Sequence, residues 1–110
     1  LNINLMKKGA KKLIGTKDFS AFRSSSCGAK NPVRTMKIVQ VKLKKNKIEI
    51  RFKSQSFLQQ QVRSMVGCLK YLGENKWDIK KFETVIKSKK RYLCAPPAPP
   101  HGLFLEKVIY

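Results

Sequence analysis

Residues 56–73 carry the clearest helical pattern in the chain, and the other segments must pack around them. Apolar residues recur here at spacings of three and four, so at about 3.6 residues per turn they form one stripe along a helix. The stripe consists of Leu58, Val62, Met65, Val66, Leu69 and Leu72. Ser56 followed by Gln59 indicates a capping box at the start of the helix. Gly73 follows the last periodic residue and can end the helix in the left-handed conformation. We therefore predict a helix over 56–73 with one buried face.

The face opposite the stripe contains Arg63, Gly67 and Lys70 at spacings of four and three, with Gln59 and Gln60 one turn earlier. A glycine inside a helix costs about 1 kcal/mol relative to alanine. Because it lacks a side chain, another group can approach this face closely. Two interpretations stay open on periodicity alone: a solvated polar face that tolerates a glycine, or a face that another body approaches.

The net charge of +19 points to a polyanionic partner. Lys and Arg number 25 against 6 Asp and Glu in 110 residues, and they are spread through every segment. Such a field favours nucleic acid, whose binding weakens with added salt, and an anionic membrane surface is the competing partner. No apolar run approaches the roughly 18 residues of a spanning helix. We expect a single soluble, intracellular domain without signal peptide or anchor.

The cysteine pattern gives no sign of a metal site. Cys27, Cys68 and Cys94 are separated by wide, irregular gaps, and His101 is the one histidine. Without a Cys-x-x-Cys pair, zinc is not expected. Cys68 falls near the edge of the apolar stripe, where a small buried thiol is the usual role. We assign no chemistry to the cysteines.

Two further elements precede the central helix. The first is a helix with a possible N-cap at Asn4 and an end at Gly15. Its apolar face comprises Met6, Ala10, Leu13 and Ile14. It is followed over 16–23 by a short loop or by an edge segment that enters a sheet. The second is an alternating region over 34–54 that predicts a β-hairpin. Its turn lacks glycine, so we expect a four-residue connection around Lys45. The central helix should lie across this hairpin.

The apolar positions of the hairpin change parity once. Met36 and Ile38 alternate out of step with Val39 and Val41. Such a change predicts either a β-bulge or a stretch buried on both faces.

The last third of the chain predicts a helix, a stiff connection and a strand. Asp78 is the expected N-cap of the helix, and Trp77 with Phe82 occupies the positions of a hydrophobic staple. The cationic run over 87–91 fits the negative end of a helix dipole, with phosphate contact as the alternative. Residues 94–101 must be extended because of their prolines. They form either a rigid internal connection to a final buried strand within 102–110 or a proline-rich ligand for another domain.

Four blocks of sequence carry a family resemblance: Asp-Phe-Ser-Ala-Phe-Arg at 18–23, Cys27 with Pro-Val-Arg-Thr at 32–35, Ser-Phe-Leu at 56–58 with Val-Arg-Ser-Met-Val-Gly at 62–67, and Ala-Pro at 95–96 with His-Gly-Leu-Phe-Leu at 101–105. In order and spacing they resemble the C-terminal half of the TruA family of tRNA pseudouridine synthases. The resemblance covers nearly the whole chain. It implies that residues 1–110 are a C-terminal domain, and that the N-terminal half with the catalytic aspartate is absent.

The resemblance also implies a fold, a reaction and partners. The fold would be α+β, an antiparallel β-sheet with helices packed on one face, whose other face forms a basic RNA cleft. The reaction would be isomerisation of uridine to pseudouridine in the anticodon stem-loop of tRNA, without cofactor or metal, in a cytoplasmic homodimer. The family's catalytic aspartate lies in a Gly-Arg-Thr-Asp motif that this chain lacks, and Asp18 and Asp78 stand in other contexts. We therefore expect the chain alone to be inactive.

Two residues inherit a role from the resemblance. Arg63 matches the arginine that pairs with the catalytic aspartate, and a guanidinium in that place favours the ionised carboxylate. Leu103 matches the leucine that forms an apolar wall against the target base. The alternatives from the residues themselves are a solvated arginine and a core leucine.

A protein of another class fits the charge and size equally well. It is a free-standing basic RNA-binding protein of the ribosomal type, which performs no catalysis. It does not account for Arg63 and Gly67 on one helix face or for the proline-stiffened approach to Leu103.

Overall fold

The computed structural model describes residues 1–23, 30–45, 47–58, 60–97 and 104–107, with backbone only for Lys47 and for 104–107. Its elements in chain order are helix α1 (Ile3–Leu13), strands β1 (Gly15–Asp18), β2 (Val33–Lys44) and β3 (Lys47–Ser54), helices α2 (Gln61–Gly73) and α3 (Ile79–Ser88), and strand β4 (Phe104–Lys107). The structure also contains short 3₁₀ turns at Ser20–Phe22 and Arg91–Leu93.

The sheet has the strand order β1-β2-β3-β4. The first three strands are antiparallel, and β4 lies parallel to β3, with Phe104 opposite Arg51. The helices pack against the sheet, and their buried side chains form one core cluster with those of β2 and β3. The predicted α+β fold, an antiparallel sheet with helices on one face, is confirmed. The final strand does exist, and it joins the sheet in the parallel direction.

The β2–β3 hairpin contains the predicted bulge. The register shifts between Met36 and Ile38, so that Met36, Val39 and Val41 are all buried on the helix side despite their parity. The predicted four-residue turn is wrong, because Lys44 pairs directly with Lys47. Lys45 adopts a positive φ of 47° in place of the missing glycine, which costs a non-glycine residue roughly 1–2 kcal/mol.

Helix α1 covers the hairpin. Its N-cap is Asn2, not Asn4, because Asn2 Oδ1 accepts a hydrogen bond from the Leu5 amide at 3.1 Å. Met6, Ala10 and Leu13 are buried as predicted, whereas Ile14 has left the helix and is 40% exposed. The principal helical contact of β2 is with α1, while α2 packs mainly on α1. The buried side chains of α2 nevertheless belong to the same core as those of β2 and β3, so the central helix does pack on the sheet that contains the hairpin.

Helix α2 begins at Gln61, five residues later than predicted. Gln60 has a left-handed backbone, φ 67°, which no right-handed helix can include, and no side chain caps the end. Ser56 is not the N-cap of the helix, because the helix begins at Gln61, and the Ser56 carbonyl accepts a hydrogen bond from Ser54 Oγ. Gln59, the other member of the predicted capping box, lies outside the described residues. Along the helix, five of the six predicted stripe residues are buried: Leu58, Val62, Met65, Leu69 and Leu72.

The end of α2 also differs from the prediction. Gly73 is the last helical residue and is not left-handed; the positive φ belongs to Asn75, at 59°. A Cβ on Gly73 would lie 2.6 Å from Met6 Sδ, so the glycine allows α1 to approach closely. Helix α3 does begin as predicted, because Asp78 Oδ1 accepts a hydrogen bond from the Lys81 amide at 2.7 Å.

Candidate active site

Arg63 lies in the first turn of α2 and is half-buried. Its side chain lines a shallow cavity of about 200 Å³ at the start of the helix. The described lining residues are Phe57, Leu58, Gln60, Gln61, Val62 and Arg63. Such a wall combines apolar surface with two amides and one guanidinium. It can hold a flat, partly apolar group while the guanidinium binds a carboxylate through two parallel hydrogen bonds.

Gln60 is the strained residue of this cavity. It has φ 67° and ψ 0°, and its Oε1 atom is buried without a hydrogen-bond partner in the described part of the chain. A left-handed non-glycine residue costs about 1–3 kcal/mol, and such strain concentrates at binding and catalytic sites. The sequence places Gln60 on the polar face of the helix but gives no signal for its strain, because three successive glutamines look alike.

Replacing Gln60 by glycine should stabilise the protein by about 0.5–1 kcal/mol. Glycine adopts a positive φ without steric cost. The free energy gained by removing the strain exceeds the destabilisation caused by the larger conformational entropy of glycine in the unfolded chain. The measurement is the midpoint of thermal unfolding, Tm, for Gln60→Gly beside Gln60→Ala, which keeps the strain. A Tm for the glycine variant at or below that of the alanine variant would contradict the expectation.

Gly67, one turn after Arg63, is covered by the chain itself. The carbonyl oxygen of Pro96 occupies the space that a Cβ on Gly67 would need, and Pro97 Cα would lie 3.5 Å from that Cβ. Of the two interpretations of this face, close approach is correct, and the approaching body is the proline segment. Lys70 remains exposed. The prediction of an internal connection is confirmed for 95–97, where Ala95 is also buried.

Leu103, the second predicted site residue, lies outside the described residues, as do Cys27 and His101. The nearest described residues before and after it in the sequence are Pro97 and Phe104. Pro97 packs beside the helix that carries Arg63, and Phe104 opens β4 next to β3. The role of Leu103 stays a prediction.

Arg91 is a site-supporting residue that the sequence did not reveal. Its Nη1 atom donates hydrogen bonds to Ser64 Oγ and, at 3.2 Å, to the Phe22 carbonyl. Ser64 is fully buried and next to Arg63 in the sequence, so Arg91 connects the two 3₁₀ turns to the N-terminal end of α2. The sequence grouped Arg91 with the cationic run of 87–91 at the end of a helix, whereas in the structure it lies beyond the end of α3 at Ser88 and donates to Ser64 and Phe22. Nothing in the pattern separates it from its lysine neighbours.

Both aspartates have structural roles. Asp18 Oδ1 accepts a hydrogen bond from the Ser20 amide at 2.8 Å and so shapes the first 3₁₀ turn, and Asp78 caps α3. Neither lines the cavity at Arg63. Within the described residues, no three His, Cys, Asp or Glu side chains gather as metal ligands would.

The described sheet face away from the helices is exposed and mainly cationic, although Glu49 lies opposite Lys42 on it. Gln40 and Lys42 alternate with the buried Val39 and Val41, and Arg51 lies opposite Gln40 on β3. This surface suits the phosphates of a nucleic acid. In the part of the chain that the structure describes, no helix combines the length and apolar character that crossing a membrane requires.

The fold and the cavity define a basic α+β domain with an arginine beside an apolar pocket. The profile of the family described as tRNA pseudouridine synthase matches residues 10–110. The chain belongs to that family.

Individual relatives agree with this assignment over all 110 residues. The chain is 77% identical to the tRNA pseudouridine synthase A of Pelagibacter ubique, 43% identical to that of Parvibaculum lavamentivorans and 40% identical to that of Sinorhizobium medicae. Each match covers 100% of this chain and only 44–45% of the relative. The chain therefore spans less than half the length of these curated relatives.

Proposed function

We propose that the chain is the C-terminal part of a tRNA pseudouridine synthase, which isomerises uridine to pseudouridine in the anticodon stem-loop of tRNA. The observation that carries the proposal is the match of the whole chain to relatives named tRNA pseudouridine synthase A, at up to 77% identity among those compared. The cavity beside Arg63 supports the proposal, since it combines apolar walls with the one positive charge that the reaction needs.

Arg63 would act on a carboxylate supplied by the N-terminal half. The reaction breaks the bond between uracil N1 and the ribose, turns the base, and forms a bond from its C5 atom. A carboxylate that attacks or removes a proton during these steps must be ionised, and a forked guanidinium stabilises that form. The half-buried position of Arg63 would strengthen this interaction, because solvent screens it less than at the surface.

Leu103 would supply an apolar wall for the target base. The docking of 95–97 on α2 supports this role, because it holds the chain a few residues before Leu103 against the helix that carries Arg63. The exposed basic face of the sheet would form part of the RNA cleft, recognising the stem through its shape and phosphates. The working enzyme would be a cytoplasmic homodimer that needs neither cofactor nor metal.

The test compares the chain with the whole protein that contains it. On tRNA labelled with tritium at C5 of uridine, pseudouridine formation releases the label, because C5 gives up its hydrogen when it bonds to the ribose. We expect release by the whole protein, none by the chain alone, and none from tRNA whose anticodon stem-loop uridines are replaced by cytidine.

Two outcomes would contradict the proposal. Release by the isolated chain would show that its own residues suffice for the chemistry. Binding of tRNA by the whole protein without any release would instead favour the non-catalytic RNA-binding protein.

A further inference from the structure

Cys68 and Cys94 meet although 26 positions separate them in the sequence. Their Sγ atoms lie 3.4 Å apart, and both are free thiols. A disulfide bond is about 2.05 Å long, so the sulfurs need to approach by only about 1.4 Å. Cys68 is buried in α2, whereas Cys94 is half-buried directly after the second 3₁₀ turn. Residue Cys94 is therefore partly exposed, whereas Cys68 is enclosed.

The surroundings make the two thiols unequal. A hydrogen bond from the Cys68 thiol, together with the positive charge of Arg91, lowers the pKa of Cys94 against the opposing effect of burial. The same hydrogen bond and burial raise the pKa of Cys68. Because the thiolate is the nucleophile, the partly exposed Cys94 is suited to react first with an oxidant. Cys68 is placed to react second by its position, since its sulfur lies 3.4 Å from that of Cys94.

We propose that Cys68 and Cys94 form a redox modification site that a peroxide converts reversibly into a disulfide. In the first step the Cys94 thiolate attacks one peroxide oxygen, the O–O bond breaks, and hydroxide leaves with formation of a sulfenic acid. In the second step the Cys68 sulfur attacks the sulfenic sulfur, and the hydroxyl group leaves as water with the Cys68 proton. A dithiol returns both residues to thiols by exchange and becomes a disulfide itself.

The bond would fasten the proline segment to α2. Cys94 directly precedes the segment 95–97, and Cys68 directly follows Gly67, against which Pro96 packs. In the reduced protein this contact depends on packing and on weak hydrogen bonds such as that from Cys94 Sγ to the Ser64 carbonyl at 3.9 Å. In the oxidised protein the same contact would be covalent. This inference does not depend on the proposed function.

Peptide mapping of the whole protein tests the site. The protein is treated with hydrogen peroxide, its remaining thiols are alkylated, and the digest is analysed by mass spectrometry. We expect a cross-linked pair of peptides containing Cys68 and Cys94, which disappears after dithiothreitol. The oxidised protein should also unfold at a Tm several degrees higher, because the bond closes a long loop in the unfolded chain.

Two variants serve as controls. Cys27→Ser should leave the cross-link unchanged, whereas Cys94→Ser should abolish it and leave Cys68 unmodified at the same peroxide dose. A cross-link from Cys68 to Cys27, or oxidation of Cys94 to a sulfinic acid without any cross-link, would overturn the proposal. The mapping on the unsubstituted protein decides the matter even if a variant does not fold.

Discussion

Replacing Arg63 by alanine in the whole protein is expected to lower the rate of pseudouridine formation by about 10²- to 10³-fold. The guanidinium would face a carboxylate in a partly buried cavity, so its removal leaves that carboxylate less stable in its ionised form. The affinity for tRNA should change much less, because many lysines and arginines would share the contact with phosphates. The rate is measured by tritium release with saturating tRNA, and the affinity by filter binding.

The pH dependence distinguishes this role from a structural one. Without Arg63 the pKa of the partner carboxylate rises, so the acid limb of the pH–rate profile should move to higher pH. Arg63→Lys keeps the charge but lacks the fork, and should fall between alanine and the unsubstituted protein. Lys70→Ala, on the same helix and exposed, is the matched control and should have a nearly normal rate. A near-normal rate for Arg63→Ala would remove Arg63 from the mechanism.

Replacing Gly67 by alanine should destabilise the protein by about 1–3 kcal/mol, although alanine is the better helix former by about 1 kcal/mol. The added methyl group would overlap the Pro96 carbonyl oxygen, and a backbone group cannot turn aside as a side chain can. Either α2 or the proline segment has to move. The measurement is Tm, which we expect to fall by several degrees.

Gly73→Ala provides a closely matched control within the same helix. Its new Cβ would also be crowded, at 2.6 Å from Met6 Sδ, but the end of a methionine side chain can rotate away. We therefore expect Gly73→Ala to lower Tm by less than Gly67→Ala does. A smaller loss at Gly67 would mean that the proline segment is not held against α2.

Local patterns in the sequence predicted the parts of the fold that depend on near neighbours. The bulge beside Ile38 follows from a parity change over four residues, and the cap at Asp78 follows from one side chain and the next turn. The start of α2 could not be predicted, because the left-handed φ of Gln60 is set by its surroundings and not by its residue type. The two-residue turn at Lys45 was missed for the same reason.

The same distinction between local and distant contacts applies to the candidate site. The position of Arg63 on α2, half-buried beside the core, follows from helix periodicity, which depends on residues close to it. Its role in catalysis stays a prediction. The contacts of Arg91 with Ser64 and of Cys68 with Cys94 join positions 27 and 26 residues apart. Periodicity has no information on such pairs, because they form only when the 3₁₀ turn and the proline segment fold back onto α2. The same holds for the carbonyl that occupies the space beside Gly67.

The parallel pairing of β4 with β3 has a consequence for how the protein is synthesised. The outer edge of β3, which includes Arg51, pairs with a strand that begins at Phe104. About half of the domain is therefore synthesised after β3 before this edge can form its backbone hydrogen bonds. During that interval the edge presents unpaired amides and carbonyls, which can recruit strands from other molecules. Contacts between such distant positions also form slowly. The charged side chains of β3, Glu49 and Arg51 among them, would protect the nascent chain from aggregation until the last strand arrives.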